Sequence, residues 1–156
     1  MDQPRTPREV FLALVNGVAE GRFDELPDLY AEQTDVVHPF DPVRAPGARS
    51  REEIRKHFGL LVSRRADAGQ RPRRRVGNVT IHETTDPEVI VAEFEYQGTD
   101  PETGEAYALP AIFVMRVRDG EIVSSRDYHD AIASARVRGQ LGELFAAVTR
   151  EAGGVD

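Results

Sequence analysis

At 156 residues and 17.3 kDa, the chain is long enough for one domain with a buried core and short for two of ordinary size. Hydrophobic residues at 40% and charged residues at 30% exclude a disordered chain, and the formal charge of -7 argues against nucleic acid, whose phosphates are bound by clustered Lys and Arg. The absence of cysteine excludes disulfides and thiolate metal sites, and no apolar run reaches the roughly 18 residues of a membrane helix, so no membrane partner is expected.

Thr6-Pro7-Arg8-Glu9 is a helix start, with a Thr cap, Pro at the first helical position and Glu three residues after the cap. Val10, Phe11, Leu14, Val15 and Val18 follow at helical spacing, and Gly21 ends the run. A second short helix is expected from Asp24, carrying Leu26, Leu29 and Tyr30. Asp35–His38 reads as a short strand stopped by Pro39, and a loop runs from Phe40 to Ala48. Ser50-Arg51-Glu52-Glu53 repeats the capping pattern, and Ile54, Phe58 and Leu61 form the apolar face of a third helix.

From there the period changes from 3.6 to 2. Val76–Thr84, Val89–Tyr96, Tyr107–Val117 and Ile122–His129 read as four strands, broken at Asp86-Pro87, Asp100–Gly104 and Asp119-Gly120. Val137, Leu141, Leu144, Phe145 and Val148 predict a closing helix, weakened by Gly139 and Gly142. The order is therefore α-α-β-α-β-β-β-β with an extra C-terminal helix. It predicts an α+β fold in which a curved antiparallel sheet packs on helices around one pocket. One domain is expected over 1–156, with its core at 6–130 and the closing helix at 131–148. The polar N-terminal stretch Met1–Arg5 leads into no apolar segment, which makes a cytoplasmic location the expectation.

This order resembles the nuclear transport factor 2-like, or SnoaL-like, superfamily, the cone-shaped cystatin-like roll of ketosteroid isomerase, limonene epoxide hydrolase, scytalone dehydratase and the SnoaL-like polyketide cyclases. Tyr30-Ala31-Glu32 leading to Val36-Val37-His38-Pro39 is similar to the helix-to-strand passage of ketosteroid isomerase. Gly47 through Ser50–Ile54 is similar to the glycine and capped helix that follow it. Gly120–Asp130 resembles the final strand of the epoxide hydrolases. The resemblance implies that His38, where ketosteroid isomerase has its catalytic carboxylate, points into the pocket. It also implies that Asp127 matches the catalytic aspartate of the epoxide hydrolases. Their paired Arg-x-Asp has no counterpart, because Phe94 and Tyr96 stand there, so epoxide opening is disfavoured. Fold alone does not decide chemistry.

Inward-pointing His38 and Asp127 are expected to approach from opposite walls, the carboxylate raising the basicity of the imidazole to give a general base near neutral pH. Alternation puts Ser125 and His129 on the face of Asp127, and Leu109, Ala111, Phe113 and Met115 on the matching face of the neighbouring strand. With Phe94, Tyr96 and Asp41 at the rim, these residues predict an apolar site for a small-molecule substrate, with Tyr30 or Tyr96 as oxyanion donor. The expected chemistry is isomerisation, aldol cyclisation or dehydration of a hydrophobic oxygenated compound, with no organic cofactor. No metal site is expected, since no ligand spacing arranges His38, Asp41, His57, Asp127 and His129. A binding protein of the same fold is the alternative.

Plainer roles stand beside these. Asp127 can pair with Arg126 or Arg116 on the surface, Asp41-Pro42 is an ordinary turn start, and Asp130 is placed to cap the closing helix. Arg64, Arg65, Arg71, Arg73, Arg74 and Arg75 form a basic cluster, read as a solvated loop and strand edge or else as a site for an anionic ligand tail. Ile112 and Val114, opposite Phe113, give the outer sheet face an apolar character, and a homodimer is expected.

Overall fold

The computed structural model describes residues 3–68 and 74–153, without the side chains of 64–68 and 151. Helix α1 (Pro7–Glu20) starts as its sequence dictates. The Thr6 hydroxyl accepts the Glu9 amide at 3.3 Å, and the Glu9 carboxylate accepts the Thr6 amide at 2.7 Å. Gly21 closes the helix in the left-handed region at φ 76°. The helix expected from Asp24 is a single 3-10 turn, Leu26–Leu29, because Pro27 and the buried Leu26 and Leu29 leave no further helical repeat. Tyr30, expected on that helix, instead begins strand β1 (Tyr30–Val37).

A three-residue strand, β2 (Ala48–Ser50), pairs with β1 and leads into helix α2 (Arg51–Ala68). Ser50 accepts the Glu53 amide at 3.2 Å, but Glu53 returns its carboxylate to the Arg49 amide at 2.6 Å, so the cap also ties the helix to β2. Four long strands follow: β3 (Arg74–Glu83), β4 (Val89–Thr99), β5 (Ala106–Arg118) and β6 (Glu121–His129). The closing segment is two helices, α3 (Ala131–Val137) and α4 (Leu141–Ala152), parted at Gly139, whose φ of 66° ends α3. Asp130 caps α3 by accepting the Ala133 amide at 2.8 Å, as its position implies.

The strands form one open, curved sheet in the order β2-β1-β6-β5-β4-β3. The consecutive strands β3 to β6 pair antiparallel, as tight turns require. Strand β1 pairs with β6 in parallel, which makes the sheet mixed. Helix α1 packs across β3–β5, and α2 lies on β1, β2 and the 3-10 turn. Between helices and sheet lies an apolar core in which Phe11 meets Phe94 edge-to-face at 5.3 Å and Phe113 at 6.2 Å. Helix α4 packs on α3 and leaves Phe145 exposed.

Candidate functional site

The parallel β1–β6 pair sets the site. Its register aligns Val36 with Ser125 and Val37 with Arg126, so one step further brings His38 beside Asp127. The two groups therefore stand on neighbouring strands of one wall, which corrects the expectation of opposite walls. Alternation carries Val36 and His38 to the inner face together. Opposite Arg116 and Val117 of β5 the register of β6 slips, so Val123 is an extra residue. That bulge resets the alternation, and Ile122, Ser125 and Asp127 all come to point inward.

Nε2 of His38 lies 3.9 Å from Oδ2 of Asp127, beyond hydrogen-bond length, and Oδ1 of Asp127 accepts a short hydrogen bond from the Ser125 hydroxyl. The Asp127 side chain is 8% exposed and that of His38 40%, so the imidazole stands between the carboxyl and solvent. The His38 and His129 rings stack at 5.7 Å, and His129 meets Phe113 edge-on at 5.4 Å. The surface pairings open to Asp127 are not made. Arg116 is bound to Asp86 and Glu88, each at 2.8 Å, and Arg126 points to the exposed side.

Burial sets the proton affinities here. It pushes the Asp127 carboxyl up to about 7, with the Ser125 hydroxyl pulling the other way. It holds His129 down to about 4, helped by the charges of His38, Arg138 and Arg74. It also lowers His38, with His57 acting in the same direction and Asp41 against it. Burial raises Tyr30 well above the usual phenol range, and the charges of Asp127 and Tyr96 add to this. Burial raises Tyr96 too, with Arg74 opposing and Asp127 adding. At neutral pH the site therefore holds two neutral imidazoles, two phenols and one carboxyl poised between its charged and uncharged forms.

The other expected site residues fall into two groups. Phe94, Tyr96, Ala111, Phe113 and Met115 are buried on the inner face, and Leu109 is packed against them. They form an aromatic wall closed from above by Phe11, a residue that sequence reasoning assigned only to the core. Asp41 sits half-buried in the loop after His38 and spends both oxygens on the loop itself, accepting the Val43 amide at 3.1 Å and the Ala45 amide at 2.9 Å. Two grooves, of about 620 and 540 Å3, open away from this cluster, and neither is lined by His38 or Asp127. The larger lies at the ends of β3–β5.

Ligand-type atoms of His38, Asp127 and His129 come within 4.8 Å of one another, a convergence that sequence spacing did not reveal. Imidazole lone pairs lie in the ring plane. The two rings stand at an interplanar angle of 22°. The expectation that no ligand set would be arranged is thereby corrected: these three residues supply ligand types in one place.

The fold is an α+β roll whose curved sheet carries the cluster on its inner face. Residues 11–125 match the SnoaL-like domain, and the chain belongs to that family. Solved structures agree. A provisionally assigned isomerase of Bacillus subtilis superposes with a TM-score of 0.68 at 22% identity, over 85% of this chain and 92% of that one. A Catenulispora acidiphila protein with a ketosteroid isomerase-like fold, in complex with trimethylamine, gives 0.60 at 22% identity, over 88% and 95%. The epoxide hydrolase/cyclase-like enzyme SalBIII, of pyran ring formation in salinomycin, gives 0.58 at 18% identity, over 81% and 92%. At these identities the structures establish the fold alone. No curated protein matches the chain in sequence.

Proposed function

We propose that this chain is an acid–base catalyst of the ketosteroid isomerase-like and SnoaL-like type, acting next to a carbonyl on a hydrophobic, oxygenated small molecule. One observation carries the reading: a carboxyl buried behind His38, beside an aromatic wall, has its proton affinity set near neutral pH. Asp127 fits the role of base better than His38, because both imidazoles are pushed toward weak basicity. Ionised Asp127 takes a proton from the carbon next to the carbonyl, and the electron pair moves onto the carbonyl oxygen. A phenol that stays protonated, Tyr30 or Tyr96, is suited to donate a hydrogen bond to that oxygen. Protonated Asp127 then returns its proton at another carbon, or the enolate attacks a second carbonyl of the same molecule. His38, partly in solvent, is suited to exchange the proton of Asp127 with water. We also propose a homodimer through the outer face of the sheet.

The test needs no natural substrate. A panel of hydrophobic ketones such as 2-tetralone is incubated in D2O, and loss of the signal of the protons beside the carbonyl is followed by proton NMR. The wild-type chain is expected to speed exchange of at least one ketone, and Asp127→Asn to lower that rate roughly 10²–10⁴-fold. Exchange no faster than in buffer, or unchanged by the substitution, would transfer support to the non-catalytic binding protein.

A further inference from the structure

Arg74, Gly98 and Tyr107 form one row across the open end of β3, β4 and β5. Arg74 pairs with Gly98, and Gly98 with Tyr107. Directly paired residues share a face, and two steps along from this row stand Val76, Tyr96 and Leu109, on the inner face. Arg74 thus extends the aromatic wall toward the β3 edge of the sheet. Its guanidinium carbon lies 4.7 Å from the centre of the Tyr96 ring. Gly98 carries no side chain, and the Tyr107 ring occupies the space above it: a Cβ on Gly98 would sit 2.5 Å from the Tyr107 hydroxyl. A planar cation and a hydroxyl therefore flank a bare backbone position.

The cation is incompletely satisfied. Arg74 is half-buried, its Nε is buried with no hydrogen-bond partner, and no carboxylate pairs with it among the described residues. A guanidinium packed on a ring, with a donor turned away from water, bears a desolvation cost that an incoming anion offsets. The two Nη nitrogens of the planar guanidinium present a pair of donors that matches two carboxylate oxygens, a match Lys does not make. Arg74, Gly98 and Tyr107 line the groove of about 620 Å3 together with Arg75, Gln97 and the neighbouring positions of β4 and β5. Of the rest of the basic cluster, Arg75 is exposed, and Arg64, Arg65, Arg71 and Arg73 lie outside the described side chains.

We propose that Arg74, with the Tyr107 hydroxyl, forms an anion subsite that holds a carboxylate at the far end of the substrate, so that this SnoaL-like site takes hydrophobic carboxylic acids. The inference rests on the functional reading above, for which it names the substrate class. Arg74 stands on β3, three strands along the sheet from Asp127 on β6, which sets the carboxylate apart from the reacting carbon.

Paired probes test it: 2-naphthylacetate and its uncharged amide, 2-naphthylacetamide, titrated by fluorescence at low ionic strength. The wild-type chain is expected to bind the acid at least about 10-fold tighter than the amide. Arg74→Met brings that ratio close to one, Arg74→Lys keeps part of it, and Arg8→Met, which removes an exposed cation of α1 outside the groove, leaves it in place. A wild-type ratio near one, a ratio that survives Arg74→Met in a chain of unchanged circular dichroism, or binding of neither probe at millimolar concentration would each overturn the subsite. The wild-type comparison stands even if Arg74→Met does not fold. Failure of catalysis is seen separately: a chain that prefers the acid yet exchanges no deuterium keeps the subsite and loses the enzyme.

Discussion

Asp127 is where the chemistry of single residues decides the behaviour of the chain. Its folded proton affinity, near pH 7, lies well above that of an unfolded aspartate, near 3.9. Between those values the folded chain holds a proton that the unfolded chain has lost, so folding is favoured at low pH. The stabilising contribution is complete below about pH 4 and is lost as the pH rises through about 7. His129 works the other way: with its folded value near 4, its contribution is present above the ordinary imidazole range and is lost as the pH falls toward 4. The two trends oppose each other in one window, so a single melting curve against pH will look flat. The difference between wild type and Asp127→Asn isolates the first. On raising the pH from 4 to 8, the wild-type chain is expected to lose roughly 2–4 kcal/mol relative to the variant, read from urea midpoints at each pH. A constant difference would mean that Asp127 is already ionised in the folded chain at pH 4.

The elements that bring Asp127 to His38 were only partly legible. The helix starts at Thr6 and Ser50 and the strands β3 to β6 follow from caps, periods and Asp-Gly turns, all local signals that neighbouring residues carry. The β1–β6 pairing joins segments some ninety positions apart, and nothing in either strand announces a parallel partner. For that reason His38 and Asp127 could each be picked out as candidates, but their relation on one wall could not. The bulge at Val123 was equally silent, since an extra residue leaves the apolar count unchanged. Arg74 was hidden among its neighbours, because six arginines within twelve positions read as a solvated stretch until register sorts one of them inward. The β1 end also depends on a close approach that composition does not show. A Cβ on Gly47 would lie 2.3 Å from the Val36 carbonyl oxygen and 2.9 Å from Cγ1 of Val37. Backbone cannot yield as a side-chain tip can, so Gly47→Ala is expected to push β1 and the His38 loop apart. A loss of roughly 1–3 kcal/mol in urea denaturation should accompany slower ketone exchange. An alanine variant of wild-type stability and rate would show that the loop shifts freely.

For the whole molecule, the sheet is unequally covered. Helices α1 and α2 close its inner face, and the outer face presents Ile112, 40% exposed, with Val114 beside it on the same strand. An open sheet that turns apolar residues outward gains by meeting a second copy, and a two-fold axis lets one patch serve both partners. The surrounding charges argue for self-association over a basic partner. Glu93 and Glu95 lie on the outer face of β4, while Arg116 and Arg126 lie on the outer face of β5 and β6. A two-fold contact can set the acids of one copy against the arginines of the other, which a uniformly charged partner would not match. Light scattering at micromolar concentration should therefore give twice the chain mass of 17.3 kDa, and Ile112→Glu should shift the population to monomer. Because Ile112 points away from Asp127, the monomeric variant is expected to keep its acid-over-amide preference. A wild-type monomer would remove the dimer, and a dimer that tolerates Ile112→Glu would move the interface to another surface, such as the exposed Phe145 of α4.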